Sequence, residues 1–144
     1  MKYMSIIKEL EMVLESGTKK EQINLLSYLN DIFESYNKNI PDFDEIMDTL
    51  IKYAIKEREG EIVKEVLNTI VFAETYQDVK DINFNSFAEN LDNVSGDILM
   101  RYIDILSYTD NLHYIPYIMR FRDNSDEKIR NCVEEALAEL RYND

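Results

Sequence analysis

Apolar residues return every three or four positions through most of this chain, a period that selects the amphipathic helix over the strand. Ile6, Ile7, Leu10, Val13 and Leu14 form the first stripe, and Ile23, Leu25, Leu26, Leu29, Ile32 and Phe33 carry a second to about Tyr36. Phe43, Ile46, Met47, Leu50, Ile51 and Ala54 give a third, and Ile62, Val63, Val66, Leu67, Ile70 and Val71 a fourth. Ile98, Leu99, Tyr102, Ile103, Ile105 and Leu106 make another long one. Short helices are expected around Ser86 to Leu91 and over Tyr114 to Phe121, where Pro116 suits a helix start, and the last runs from Ser125 to near Tyr142. With three Gly and two Pro in 144 residues, there is too little turn chemistry for a hairpin-rich sheet.

The punctuation agrees. Gly17 ends the first helix, and Thr18 with Glu21 three residues on forms a capping box for the second. The break from Asn37 to Pro41 precedes Asp42 and Glu45, the same pattern again. Gly60 interrupts, and Ser95-Gly96-Asp97 opens a further helix. The stretch from Gln77 to Asn85 is the least regular, a connector that serves either as a binding loop or as a spacer. These boundaries predict an all-α fold of about eight helices in four consecutive hairpins, over residues 3–36, 42–76, 84–109 and 113–142. Hairpins of roughly 30–40 residues are the size of helical repeats, which bury their apolar faces by stacking on neighbours. Periodicity alone fits a short α–α solenoid and an irregular helical bundle equally well.

A chain of this length is expected to form one domain, residues 1–144, burying about two-thirds of its unfolded surface. It is 45% hydrophobic and 31% charged, too apolar for disorder and too interrupted by charge for a membrane span. Lys8 and Glu9 follow Met1-Lys2-Tyr3-Met4-Ser5-Ile6-Ile7 before any apolar run reaches signal-peptide length, so a cytoplasmic location is expected. The single Cys132, with no internal partner, fits a reducing compartment. The formal net charge of −13 repels nucleic acid and anionic lipid and attracts basic proteins, although acidity also serves solubility alone.

The C-terminal third carries a resemblance. The run Ile105-Leu106-Ser107-Tyr108-Thr109-Asp110-Asn111-Leu112-His113-Tyr114-Ile115-Pro116 is similar to the junction of two HEAT repeats of the PBS-lyase type, with an "ALG"-like helix end, a polar turn and an "IP" helix start. Asp123-Asn124-Ser125-Asp126-Glu127-Lys128-Ile129-Arg130 resembles that family's Asp…Val-Arg turn, and Cys132, Val133, Ala136, Leu137 and Leu140 match its small and apolar positions. Leu106 and Leu137 stand 31 positions apart by their numbers, near a repeat length. The likeness is best over 98–142. Arg130 falls one position later than the pattern, and the nearest earlier counterpart of Val-Arg is Val63-Lys64. The resemblance implies a HEAT/ARM-like superhelix, a turn aspartate that accepts bonds from exposed N–H groups, and an Arg130 that pairs with it or with a neighbouring aspartate.

Reactive constellations are scarce. His113 is the only histidine and lies in a turn, so a His-rich metal site or a Ser/His/Asp triad has little to draw on. Cys132 reads as core packing. Glycine-rich phosphate loops are lacking, and the Asp123–Lys128 run has Lys128 where a calcium loop needs glycine. No enzyme, no cofactor and no metal are expected. Carboxylate pairs such as Glu134/Glu135 are ordinary in so acidic a chain, and nothing marks one as desolvated.

Repeat arrays present the second helix of each hairpin along one face. Opposite their apolar stripes these helices carry Asn24, Tyr28, Asp31 and Ser35; Glu61, Glu65 and Asn68; Asp97, Arg101, Asp104 and Tyr108; and Glu127, Asn131, Glu134 and Glu135, with Tyr142 beyond. The candidate partner-binding set is Tyr28, Asp31, Glu61, Glu65, Asn68, Asp97, Arg101, Asp104, Tyr108, Glu127 and Glu134. Such a strip is either a solvated acidic face or a binding face on which tyrosines supply contact area. In style the chain is similar to small helical-repeat immunity proteins of bacterial toxin systems, including contact-dependent growth inhibition. That likeness implies a cytosolic inhibitor of a basic, nuclease-like toxin domain, with a protein as partner and neither nucleic acid nor membrane. The alternative is a generic HEAT-type scaffold or adaptor. A HEAT-fold nucleic-acid glycosylase would need a basic face, and the charge here has the opposite sign.

Overall fold

Ser5 opens the first helix: its hydroxyl accepts the Lys8 amide at 3.3 Å and satisfies one of the donors a helix start leaves free. Helix α1 runs Ile6–Ser16 and buries Leu10 and Leu14. It stops at Gly17, whose N–H closes on the Val13 carbonyl at 2.9 Å. Space alone requires glycine here, because a Cβ would lie 2.6 Å from the Val13 oxygen. Thr18 starts α2 (Lys19–Glu34) with the expected capping box. Its hydroxyl accepts the Glu21 N–H at 3.1 Å, and the Glu21 carboxylate accepts the Thr18 N–H at 2.9 Å. The hydrogen bonds to Thr18 hold the Glu21 carboxyl below its ordinary value. The computed structural model describes residues 5–35 and 37–142, Tyr142 by its backbone alone. The readings that fall on Met1–Met4, Tyr36 and the Tyr142 side chain therefore lie outside the described residues.

Helix α3 (Phe43–Glu57) does not begin as its sequence suggests. Asp42 adopts the left-handed conformation, φ 58° and ψ 26°, and its side chain makes no capping bond. A capping carboxylate needs an extended backbone to aim at the N2 or N3 amide, and the left-handed turn points it elsewhere. The chain leaves α3 through Arg58, also left-handed at φ 65°, and Gly60 at φ 108° leads into α4 (Glu61–Tyr76). Within this first unit, which extends to Ile82, α1 packs on α2 and α3, and α4 packs on α2 and α3. Each of these four helices thus packs chiefly on two others. Their shared core includes Leu26, Leu29, Phe33, Met47, Leu50, Val66, Leu67 and Ile70, all essentially fully buried. Each such side chain contributes about 1.5–3 kcal/mol over its exposed state. Phe33 also meets Phe43 edge to face, with ring centroids 5.5 Å apart.

The expected connector is irregular but anchored. The Gln77 side-chain amide donates to the Phe33 carbonyl at 2.7 Å, and Lys38 donates to the Tyr76 carbonyl. Ile82 and Phe84, two residues apart, are both buried.

The second unit begins at Asn83. It holds α5 (Asn85–Glu89), a 3-10 turn at Leu91–Asn93, α6 (Gly96–Ser107), a second 3-10 turn at Leu112–Tyr114, α7 (Ile115–Met119, with Pro116 in its first turn) and α8 (Glu127–Tyr142). Helix α5 packs on α6, α7 on α8, and α6 on α8. Tyr102 is the largest fully buried side chain, and its ring meets Phe87 at 4.8 Å. The Tyr114 hydroxyl donates to Asn85 Oδ1 at 2.6 Å, tying the start of α5 to the entry of α7.

Two expectations for the last turn need correction. Asp126, not Ser125, caps α8: its carboxylate accepts the Lys128 N–H at 2.9 Å, while Asn124 Oδ1 accepts the Asp126 N–H at 2.9 Å. Arg130 donates to backbone carbonyls, Asn124 at 2.8 Å and Ser125 at 3.1 Å, rather than to an aspartate. The guanidinium satisfies carbonyl oxygens that the turn leaves over. Among the described residues there is no strand, and no helix is long and apolar enough to cross a membrane.

Candidate functional site

In the first unit the candidate residues stand on α2 and α4. Leu25, Leu26, Leu29 and Phe33 turn inward, and steps of three and four leave Asn24, Tyr28, Asp31 and Ser35 on the solvent side of α2. Tyr28 is 56% exposed, the most exposed large apolar side chain among the described residues. On α4, Glu61 is exposed, whereas Glu65 and Asn68 are half-buried. Glu61 is joined to Lys19 at the start of α2 by a 2.6 Å ion pair. Both partners are well exposed, so the pair adds little stability. Its effect is local neutralisation of one carboxylate in the strip.

In the second unit they stand on α6 and α8. Asp97 and Arg101 are exposed, and Tyr108, 43% exposed, caps the end of α6. Glu127 and Glu134 are exposed on α8. Asp104 differs from the rest. It is half-buried where α6 meets α8, 3.9 Å from Arg101 Nη1 and 3.5 Å from the thiol of Cys132. Burial raises its carboxyl above the ordinary value and Glu135 adds to that, while the Cys132 hydrogen bond and the Arg101 charge oppose it.

Cys132 is buried, as its reading as core implies. Its thiol is pushed up to about 12, first by desolvation and then by Asp104 and Glu135. A thiol so suppressed is a packing group with a weak donor, not a nucleophile at neutral pH. His113 is exposed in the turn before α7, beside Tyr114 and Tyr117 with ring centroids 6.0 Å away in each case. Among the described residues no three His, Cys, Asp or Glu side chains are grouped to hold a metal ion.

Periodicity missed a cluster around α7. Arg120 Nη1 lies 3.2 Å from Asp92 Oδ2, and its guanidinium carbon lies 6.0 Å from the Tyr117 ring centroid and 5.7 Å from that of Phe121. Tyr117 at i−3 of Arg120 was a visible signal for that contact, whereas the spacing of Phe121, its chain neighbour, gave none. Asp92, 28 residues earlier, was not.

No family model, no characterised protein and no solved structure matches this chain.

Proposed function

We propose that this chain is a cytosolic immunity protein, one that binds and neutralises a basic, nuclease-like bacterial toxin domain. The observation that carries the reading is the pairing of a net charge of −13 with exposed tyrosines on long helices whose outer faces are acidic. Tyr28 stands with Asp31 on α2, and Tyr108 caps the helix that carries Asp97. Carboxylates attract a cationic domain over long range and speed its arrival, and tyrosine supplies contact area at low entropic cost once it has docked. A bound acidic face would lie over the groove that such a nuclease uses for its own polyanion.

The same reading takes each unit as two stacked hairpins of the HEAT kind. Like helices lie adjacent in the first unit, and α6 against α8 in the second follows the same plan. The 31-position spacing of Leu106 and Leu137 supports the repeat in the second unit.

The test is co-expression with the C-terminal domain of a large secreted protein encoded directly upstream. Survival of the host, co-purification of the pair and loss of both on reversing Asp31, Asp97 and Glu134 together are expected. Absence of rescue and of co-purification rejects the reading. Assembly with several non-toxic enzymes would move the chain to the adaptor class.

A further inference from the structure

Helices α1 and α2 leave an open groove of about 610 Å³ between them. Ile6, Val13 and the buried Leu25 form its floor, and Glu9 and Glu21 stand exposed on its lip with Tyr28. Ile6, Glu9 and Val13 follow one another by three and four residues, which sets them on one flank of α1. Leu25 and Tyr28 do the same on α2. Among the described residues the lining holds two carboxylates and no ammonium or guanidinium group. The groove at α1 and α3, of about 540 Å³, differs in kind: Lys52 and Lys56 line it together with Glu11, Glu15 and Glu57, so cations offset most of its negative charge.

A trough with an apolar floor and two carboxylates on its lip has a definite complement. An amphipathic helix lays one or two apolar side chains on such a floor and sets Lys or Arg against the acidic edge. Tyr28 is placed to cover an apolar anchor with its ring while its hydroxyl stays at the wet rim. Polyanions and anionic lipid headgroups would meet two carboxylates with nothing to pair against. We propose that this groove receives a cationic amphipathic helix of the protein partner, with Ile6 and Val13 holding its apolar residues, Glu9 its cations and Tyr28 closing over it. The proposal rests on the reading of the chain as a binder of basic protein and names the element bound.

The probe is a fluorescein-labelled synthetic 14-residue helix with leucines four residues apart and lysines along both edges, titrated into the full chain. Anisotropy should show saturable binding that weakens at least about fivefold as salt rises from about 50 to about 300 mM, because the contacts are exposed charges. Backbone amide shifts should concentrate at Ile6, Glu9, Val13 and Tyr28. Glu9→Lys and Tyr28→Ala should each weaken binding about fivefold with helical circular dichroism unchanged, and a peptide with glutamates for lysines should not bind. Failure of the lysine peptide to bind, equal binding of the glutamate peptide, or shifts centred on other helices would overturn the proposal. Toxin rescue separates this from the parent reading. If Glu9→Lys and Tyr28→Ala rescue as well as the parent chain, the groove assignment falls and immunity stands. If the parent chain binds the peptide in the groove yet rescues no host, immunity falls and the groove stands.

Discussion

The thiol of Cys132 lies 3.5 Å from Oδ1 of Asp104, across the contact between α8 and α6. Each group alters the other. The carboxylate opposes ionisation of the thiol, and the thiol donates a weak hydrogen bond to a carboxylate that has lost part of its water.

Cys132 should therefore resist alkylation. With its thiol pushed up to about 12, the thiolate population at pH 8 is small, and a thiol reagent should react at least about a hundredfold slower than after unfolding in urea. Asp104→Asn removes a negative neighbour and should speed the native reaction. Equal rates in the native and unfolded chains would contradict the burial.

The same pair sets a pH dependence. Asp104 is raised in the folded chain, so between the ordinary aspartate value and its native one the fold holds a proton that the unfolded chain has shed. Stability from this group accordingly rises as pH falls through that window. Asp104→Asn should flatten that part of the thermal stability profile. A variant with the same profile as the parent chain would remove Asp104 as its source.

Gly17 and Thr18 test the first turn. Gly17→Ala forces a methyl to 2.6 Å from the Val13 oxygen and should cost about 1–3 kcal/mol in urea unfolding. Thr18→Ala loses the hydroxyl cap and should cost about 1 kcal/mol.

Asp42→Gly should behave in the opposite way. The aspartate makes no cap bond and sits left-handed, so glycine removes roughly 1 kcal/mol of backbone strain against its own entropic cost. The variant should be as stable as the parent chain or more so. A loss as large as that of Thr18→Ala would show that Asp42 is a working cap.

Tyr114→Phe deletes a 2.6 Å hydrogen bond and should cost about 0.5–1.5 kcal/mol. Combined with Asn85→Ala, the double variant should lose less than the sum of the two singles, because both remove one bond. Strict additivity would separate the two residues.

The contrast between Thr18 and Asp42 shows what was legible. Both have Glu three residues on, and the motif is local, but whether it forms depends on the backbone leading in. Gly17 delivers an extended Thr18, whereas the loop over Asn37–Pro41 delivers a left-handed Asp42. The helices themselves were readable because their apolar stripes repeat within one element. The connector was readable as irregular, yet Ile82 and Phe84 as buried anchors were not, since two apolar residues set no period. Among the candidate partner residues, Tyr28, Asp31, Asp97 and Glu134 are exposed as an outward face requires. Asp104 shares their stripe, and only the packing of α8 reveals that it faces Cys132. Reversing its charge would disturb the fold before it reported on binding.

The joint between α1 and α2 consists of Gly17 and Thr18 alone, one wedged against Val13 and the other locked to Glu21. So short and so tightly contacted a joint disfavours splaying of the two helices around an arriving guest. Binding of the lysine peptide at their groove should then be a single-step collision, with an observed rate that climbs linearly with peptide concentration and no plateau from a prior rearrangement.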